Sequence, residues 1–261
     1  MKQVLVTGAG GQLARCLQKM PQDSEVRFTF VNKATMDITD PISIRRILDN
    51  TEFDYCINCA AYTDVETAEK SPKKAFEVNA EGVRNLAGSC ESRAITLIHI
   101  STDYVFDGEK EGPYLATDIP NPINEYGKSK LLGEEYIKRL MTRYFIIRTS
   151  WLYSEFGSNF YTKIRDKAEK GETLYITDEQ IGCPTDANNL AQYLRKIISG
   201  GSEDYGIYHF TDGVPMSWYQ WAINIVNDMA LDASSLVVRH SNYRTFAARP
   251  RNSVLKTQDQ G

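Results

Sequence analysis

Lys2-Gln3-Val4-Leu5-Val6-Thr7-Gly8-Ala9-Gly10-Gly11-Gln12-Leu13-Ala14 opens the chain and decides how it folds. An apolar run stops abruptly at glycines, and a helical pattern over Gly11–Lys19 follows at once. Gly8 can supply a tight turn, Gly11 lets the backbone approach a pyrophosphate, and Ala14 is small enough for close helix–strand packing. The start of that helix presents free N–H groups and the positive end of its dipole to phosphates. A glycine-rich heptapeptide is weak evidence alone. Its place at the first strand–helix junction strengthens it.

Reading outward, strands are predicted at Val26–Val31, Phe53–Cys59, Ile95–Ile100 and Tyr144–Arg148. Helices are predicted between them: one opened by Thr39-Asp40-Pro41, with Ile42, Ile44, Ile47 and Leu48 as its stripe, then Pro72–Cys90 and Tyr126–Leu140. This alternation argues for an α/β fold, a doubly wound parallel (Rossmann) sheet with helices on both faces. After Ser150 the pattern loosens into helical pieces near Asn159–Glu169, Asn188–Ser199 and Ser217–Met229, with short strands near Leu174–Ile176 and Ile207–His209. We expect a dinucleotide-binding domain over 1–150, with later contributions from about 187–213, and a small C-terminal substrate-binding lobe from 151–186 and 214–261.

The 261 residues, 42% hydrophobic and 25% charged, suffice for a core without staples. A formal charge of −4 and no basic stripe argue against nucleic acid. No apolar leader or membrane span is visible, so we expect a cytoplasmic protein with no membrane partner. Five scattered cysteines read as reduced thiols. Cys56 and Cys59 lie three apart on a strand, point to opposite faces and cannot share a metal. The three histidines lack ligand spacing, so no metal site is assigned. His99, inside Leu97-Ile98-His99-Ile100, reads as a packed strand residue rather than a base.

The chemistry sits in Tyr126-Gly127-Lys128-Ser129-Lys130. Tyr126 and Lys130, four apart at a helix start, share a face. Ketone reduction needs a hydride and a proton for the nascent alkoxide. A free phenol titrates too high to be an efficient donor near neutrality, and a nearby ammonium lowers it. Lys130 can also bond a cofactor ribose. A third hydroxyl should polarise the carbonyl, and Ser101-Thr102 ends the fourth strand at the sheet's ligand-binding edge. Thr102 is the candidate and Ser101 the second choice. Phe30-Val31-Asn32-Lys33 lacks the usual ribose-binding carboxylate. Asn32 can bond a hydroxyl and Lys33 can offset a 2′-phosphate, which favours NADPH over NADH. Asp37-Ile38 either meets the adenine, or Asp37 is a turn residue ahead of Asp40-Pro41.

These residues carry a resemblance. With Gly8–Leu13 go Asn58-Cys59-Ala60-Ala61-Tyr62-Thr63-Asp64-Val65-Glu66, Ser101-Thr102-Asp103-Tyr104-Val105-Phe106-Asp107-Gly108 and Tyr126–Lys130. Further marks are Arg148-Thr149-Ser150-Trp151-Leu152-Tyr153, Gln180-Ile181-Gly182-Cys183-Pro184-Thr185 and Arg249-Pro250-Arg251-Asn252-Ser253-Val254-Leu255. Nearly end to end, the chain resembles the dTDP-4-dehydrorhamnose reductase family of extended short-chain reductases. The resemblance implies reduction of the 4-keto group of dTDP-4-dehydro-L-rhamnose to dTDP-L-rhamnose, with a nucleotide sugar as partner, and it is compatible with a homodimer. It implies that Gly11, Gln12 and Leu13 meet the cofactor diphosphate, that Asn32, Asp37 and Ile38 face the adenosine half, and that Ala60, Ala61 and Tyr62 line the cofactor groove. It implies a catalytic triad of Thr102, Tyr126 and Lys130, with Thr102, Asp103 and Trp151 against the deoxysugar. Three positions depart from the pattern: Ala14 replaces the third glycine, Asn32 stands where the family often has Asp, and Lys256 stands where it usually has an acid followed by further chain. The last departure is expected to loosen the substrate lobe or alter a dimer contact. Two alternatives remain: another nucleotide-sugar reductase, epimerase or dehydratase, or a non-catalytic regulatory subunit on this fold. Asp103-Tyr104 after Thr102, instead of two carboxyl residues, weakens the dehydratase.

Overall fold

Alternate residues of the first strand, β1 (Lys2–Thr7), go to opposite sides of a sheet: Val4 and Val6 enter one core, Leu5 the other. In the computed structural model, which describes residues 1–21, 24–241 and 244–257, β1 leads through α1 (Gln12–Lys19), β2 (Val26–Phe30), α2 (Pro41–Leu48) and β3 (Tyr55–Asn58) to two short helices, α3 (Val65–Lys70) and α4 (Pro72–Phe76). A π turn over Glu77–Gly82 joins α4 to α5 (Val83–Glu91), and β4 (Thr96–Thr102), α6 (Glu125–Leu140) and β5 (Tyr144–Thr149) complete this half. Then come β6 (Leu152–Tyr153), α7 (Phe160–Glu169), β7 (Leu174–Ile176), β8 (Ile181–Gly182), β9 (Thr185–Asp186), α8 (Ala187–Gly200), β10 (Gly206–His209), β11 (Met216–Ser217), α9 (Trp218–Asp228), α10 (Ala233–Leu236) and β12 (Val237–Arg239).

The main sheet runs β2-β1-β3-β4-β5-β10, every pair parallel. The expected doubly wound sheet is therefore the observed one. Strand order reverses between β1 and β3, which leaves a crevice above their carboxyl ends. On one face α1 and α8 bury Leu13, Leu17, Leu190 and Leu194. On the other α2, α5 and α6 bury Ile44, Leu48, Leu86 and Ile137. Each such side chain contributes about 1.5–3 kcal/mol by leaving water. Cys56 packs on the second face while Cys59 packs against the first, as their spacing requires, and all five cysteines are free thiols.

A separate core gathers Ile164 and Ala168 of α7, Leu174 of β7, Trp221, Ala222, Ile225 and Val226 of α9, and Val237 of β12. The segment Val254–Lys256 docks beside Tyr114, with Lys256 N donating to Tyr114 O at 2.8 Å and Tyr114 N to Val254 O at 2.7 Å. Among the described residues no helix is long and apolar enough to cross a membrane.

Candidate active site

The first βα turn needs a glycine for two separate reasons. Gly8 sits at φ +67°, and a Cβ there would lie 2.8 Å from the Ala60 nitrogen and the Cys59 carbonyl carbon. The loop can turn and still pass under the end of β3 only because that atom is missing. Gly11 caps α1 with no side-chain hydrogen bond to the helix's first amides. These amides open towards a cavity of about 460 Å³ lined by Gly10, Gly11, Gln12 and Leu13. Free helix N–H groups and unobstructed backbone suit a diphosphate. Gln12 ties the loop to the far wall, donating from Nε2 to Leu152 O at 3.0 Å.

The same cavity is lined by Ala61, Ser101, Thr102, Asp103, Tyr126, Lys130 and Trp151. The end of β4 and the start of α6 bring the three expected catalytic side chains together. Asn124 fixes the start of α6: its Oδ1 accepts from Gly127 N at 2.8 Å, and its Nδ2 donates to Ala248 O at 2.8 Å. One turn on, Lys130 is buried, with Nζ donating to Ile100 O at 2.7 Å and lying 3.4 Å from His99 Nε2. Burial pulls this ammonium down to about 8, and the Glu134 carboxylate holds it up against that pull. His99 is fully buried, its Nδ1 facing Asn58 Nδ2 at 3.1 Å. Burial and the Lys130 charge keep its imidazole neutral at all ordinary pH. It is a packed strand residue, and it is also a neighbour of the lysine.

Burial raises the Tyr126 phenol above its ordinary value, and the Thr102 hydroxyl offsets part of that by hydrogen bonding. Tyr104 meets the ring edge-on at 5.8 Å. Thr102 Oγ1 donates to Asp103 Oδ1 at 3.0 Å and accepts from Tyr104 N at 3.1 Å. Asp103 is itself buried, and burial raises its carboxyl to about 6 despite the Ser253 and Thr102 hydroxyls.

That carboxyl makes a stability prediction. A folded value raised from 3.8 to about 6 means that the native state keeps a proton the unfolded chain has lost, so stability falls as pH rises through that window. Above it the whole penalty is present, about 3 kcal/mol at 1.36 kcal/mol per pH unit. Asp103→Asn removes the penalty and leaves an oxygen for Thr102. Urea unfolding at pH 7 is expected to show a more stable variant by about 1–3 kcal/mol, with the gain gone at pH 3.5. A gain of equal size at both pH values is incompatible with this assignment.

Other expected residues lie elsewhere. Asn32 Oδ1 accepts from Thr35 N and Thr35 Oγ1. Asp37 Oδ1 accepts from Thr39 N at 2.9 Å and its Oδ2 lies 3.5 Å from Lys33 Nζ. Ile38 is 3% exposed and sits in the second core. Tyr62 is pinned by both backbone groups to the Asn79 side chain, at 2.8 and 2.9 Å. Asn32, Asp37, Ile38, Ala60 and Tyr62 do not line the cavity described above. Glu134 carries no site signal of its own in the sequence. Fully buried, it accepts from Ser101 Oγ at 2.5 Å, Arg148 Nε at 3.0 Å and Arg148 Nη2 at 2.6 Å. A lone Arg148 in the apolar strand 144–149 was the available signal, since a buried guanidinium demands a carboxylate. Among the described residues no group of three or more His, Cys, Asp or Glu is placed to hold a metal ion.

The model of the RmlD substrate binding domain family matches residues 1–260. The chain belongs to the dTDP-4-dehydrorhamnose reductase family. It is 39% identical to a dTDP-4-dehydrorhamnose reductase of Aggregatibacter actinomycetemcomitans, over 98% of this chain and 90% of that protein. It is 37% identical to the spore coat polysaccharide biosynthesis protein SpsK of Bacillus subtilis, over 98% and 89%. A crystal structure of this reductase family from Bacillus anthracis, in complex with NADP, superposes with a TM-score of 0.93 at 34% identity, covering 98% of this chain and 91% of that one. Within the dTDP-4-dehydrorhamnose reductase family, this chain holds Thr102, Tyr126 and Lys130 in a single cavity.

Proposed function

We propose that the chain reduces the 4-keto group of dTDP-4-dehydro-L-rhamnose to dTDP-L-rhamnose in the cytoplasm, with NADPH preferred over NADH. The observation that carries the reading is one cavity whose lining includes Gly10–Leu13 together with Thr102, Asp103, Tyr126, Lys130 and Trp151. Residues 1–150 with 187–213 would hold the cofactor, and 151–186 with 214–261 the sugar nucleotide. Residues 242–243 and 258–261 of that lobe lie outside the described residues.

The free amides of α1 and the open backbone at Gly11 fit the diphosphate of a dinucleotide. A bound reduced nicotinamide supplies the hydride. Thr102 Oγ1 hydrogen-bonds the substrate's keto oxygen and polarises it. As charge develops on that oxygen, the Tyr126 O–H gives it the proton, completing the alcohol. The Lys130 ammonium, on the same face of α6, stabilises the phenolate left behind. Below about 8 the lysine is charged and the phenol protonated, so both carry the correct state near neutrality.

The decisive experiment follows the loss of reduced-nicotinamide absorbance, with the dTDP-4-keto sugar generated in situ and NADPH and NADH compared. Turnover, faster with NADPH, is the expected result. Tight NADPH binding without oxidation would sink the proposed substrate and favour a regulatory role.

A further inference from the structure

Trp151 has an unusual backbone. It sits at φ +47°, a strained region for a bulky residue that persists only where surrounding structure enforces it. Its indole is enclosed on two sides. One face stacks on Trp218, ring centroids 3.5 Å apart and planes 10° from parallel. On another side lies Gly182, where a Cβ would fall 2.5 Å from Trp151 Cε2, 2.7 Å from Nε1 and 2.8 Å from Cζ2. No real Cβ tolerates such approaches. Gly182 does not adopt a positive φ, so the demand for glycine here is purely one of space.

Neither side can yield easily. Gly182 is paired with Met216 in the β8/β11 ribbon. Its neighbour Ile181 donates from N to Arg251 O and accepts at O from Ser253 N, both at 2.8 Å. Trp218 starts α9 directly after that ribbon, donates from Nε1 to Gln180 Oε1 at 3.0 Å, and is backed by Phe160 at 4.6 Å. The two sides are carried by adjoining segments of one ribbon, so their separation is fixed. What they hold is the wall of the catalytic cavity, which Trp151 shares with Thr102, Asp103 and Tyr126.

We propose that Gly182 and Trp218 are positioning residues that clamp the Trp151 indole, and that the missing side chain at 182 sets the width of the sugar pocket. The proposal rests on the reading that Trp151 faces the substrate. A methyl group at 182 must drive the indole away by about an ångström, and a misplacement of that size near the reacting centre can cost about 10²-fold in rate. The loss belongs to the sugar side. Gly182 and Trp218 do not line the cavity that holds the phosphate loop, so cofactor affinity should hold.

The test uses the full chain with Gly182→Ala, Trp151→Ala, the double variant, Trp218→Leu and Trp218→Phe. Gly182→Ala is expected to lower kcat/KM about 10–100-fold, with NADPH affinity changed by less than about twofold. In the Trp151→Ala background, Gly182→Ala is expected to cost less than about twofold, because the clamped ring is gone. The contribution of the Trp151–Trp218 stack to the exciton circular-dichroism couplet should be lost in Trp151→Ala and Trp218→Leu, leaving only the survivor's coupling to Trp221, and be altered in Gly182→Ala. Trp218→Phe, which keeps an aromatic face, should recover most of the activity that Trp218→Leu loses. An unchanged kcat/KM and couplet in Gly182→Ala overturns the clamp, as does an equal loss with and without Trp151. If Gly182→Ala does not fold, equal activity of Trp218→Phe and Trp218→Leu overturns it. The couplet needs no substrate, so it judges the clamp even if the wild-type chain fails to turn over the dTDP-4-keto sugar.

Discussion

Tyr126→Phe is expected to lower kcat about 10²–10⁴-fold while leaving NADPH affinity within about twofold of wild type. The change removes one oxygen. The ring stays to meet Tyr104 edge-on, and α6 keeps its Asn124 cap, so the scaffold should not move. The oxygen shares the cavity with Thr102 and Lys130, and burial keeps its proton on near neutrality. Thr102's hydroxyl can turn its hydrogen bond from Asp103 Oδ1 to the keto oxygen, but an aliphatic alcohol is far too weak an acid to give that proton up. One ammonium proton of Lys130 is committed to Ile100 O, and His99, whose Nε2 lies 3.4 Å from Lys130 Nζ, is held neutral. Burial keeps the phenol protonated well past neutrality, so the tyrosine itself does not limit the rate on the alkaline side. The basic limb should instead fall near 8, where Lys130 loses its charge. Steady-state turnover and fluorescence titration of NADPH check both halves. If Tyr126→Phe keeps more than about a tenth of kcat, the proton comes from elsewhere and the proposed roles fail.

Elements with strong local signals were legible in the sequence. β1 and the glycine turn were read to the residue, because an apolar run ending in glycines has few other solutions. The stretch 72–90 reads as a single helix, yet the structure breaks it with a π turn at Glu77–Gly82. Nothing in the apolar spacing marks that break. It accompanies a tertiary demand: Asn79, inside the turn, bonds both backbone groups of Tyr62 and Ser129 Oγ. The helix Val65–Lys70 carries too little periodic signal to be legible, because it is six residues long and depends on the Asp64 cap. The site divides in the same way. Thr102, Tyr126 and Lys130 lie at a strand end and a helix start, positions that a doubly wound sheet brings together by topology alone. Gly182 and Glu134 matter through partners far away in sequence, Trp151 and Arg148, and the identity of such partners is settled only by packing.

Glu134 is where the largest stability loss is expected. Its carboxylate and the Arg148 guanidinium are 0% and 1% exposed, and they meet through two hydrogen bonds. A pair this deep contributes little net stability, since burial costs each ion several kcal/mol, but breaking it strands the survivor. Arg148 is poorly placed for that. Its Nη1 already has no hydrogen-bond partner among the described residues, and its other neighbour is the Phe106 ring at 5.2 Å. Ser101 would also lose its acceptor. Glu134→Ala should therefore cost about 3–5 kcal/mol in urea unfolding, a large share of a typical domain's 5–15. Removing both charges, in Glu134→Leu with Arg148→Met, should recover much of that. Glu134 lies one helical turn beyond Lys130, which adds a readout that lost packing does not move. The carboxylate raises the lysine's pKa against burial, so in Glu134→Gln the alkaline limb of the rate profile should shift below 8. A loss under about 1 kcal/mol for Glu134→Ala would mean that the fold tolerates a bare Arg148. An unmoved limb in Glu134→Gln would mean that the carboxylate does not reach the lysine.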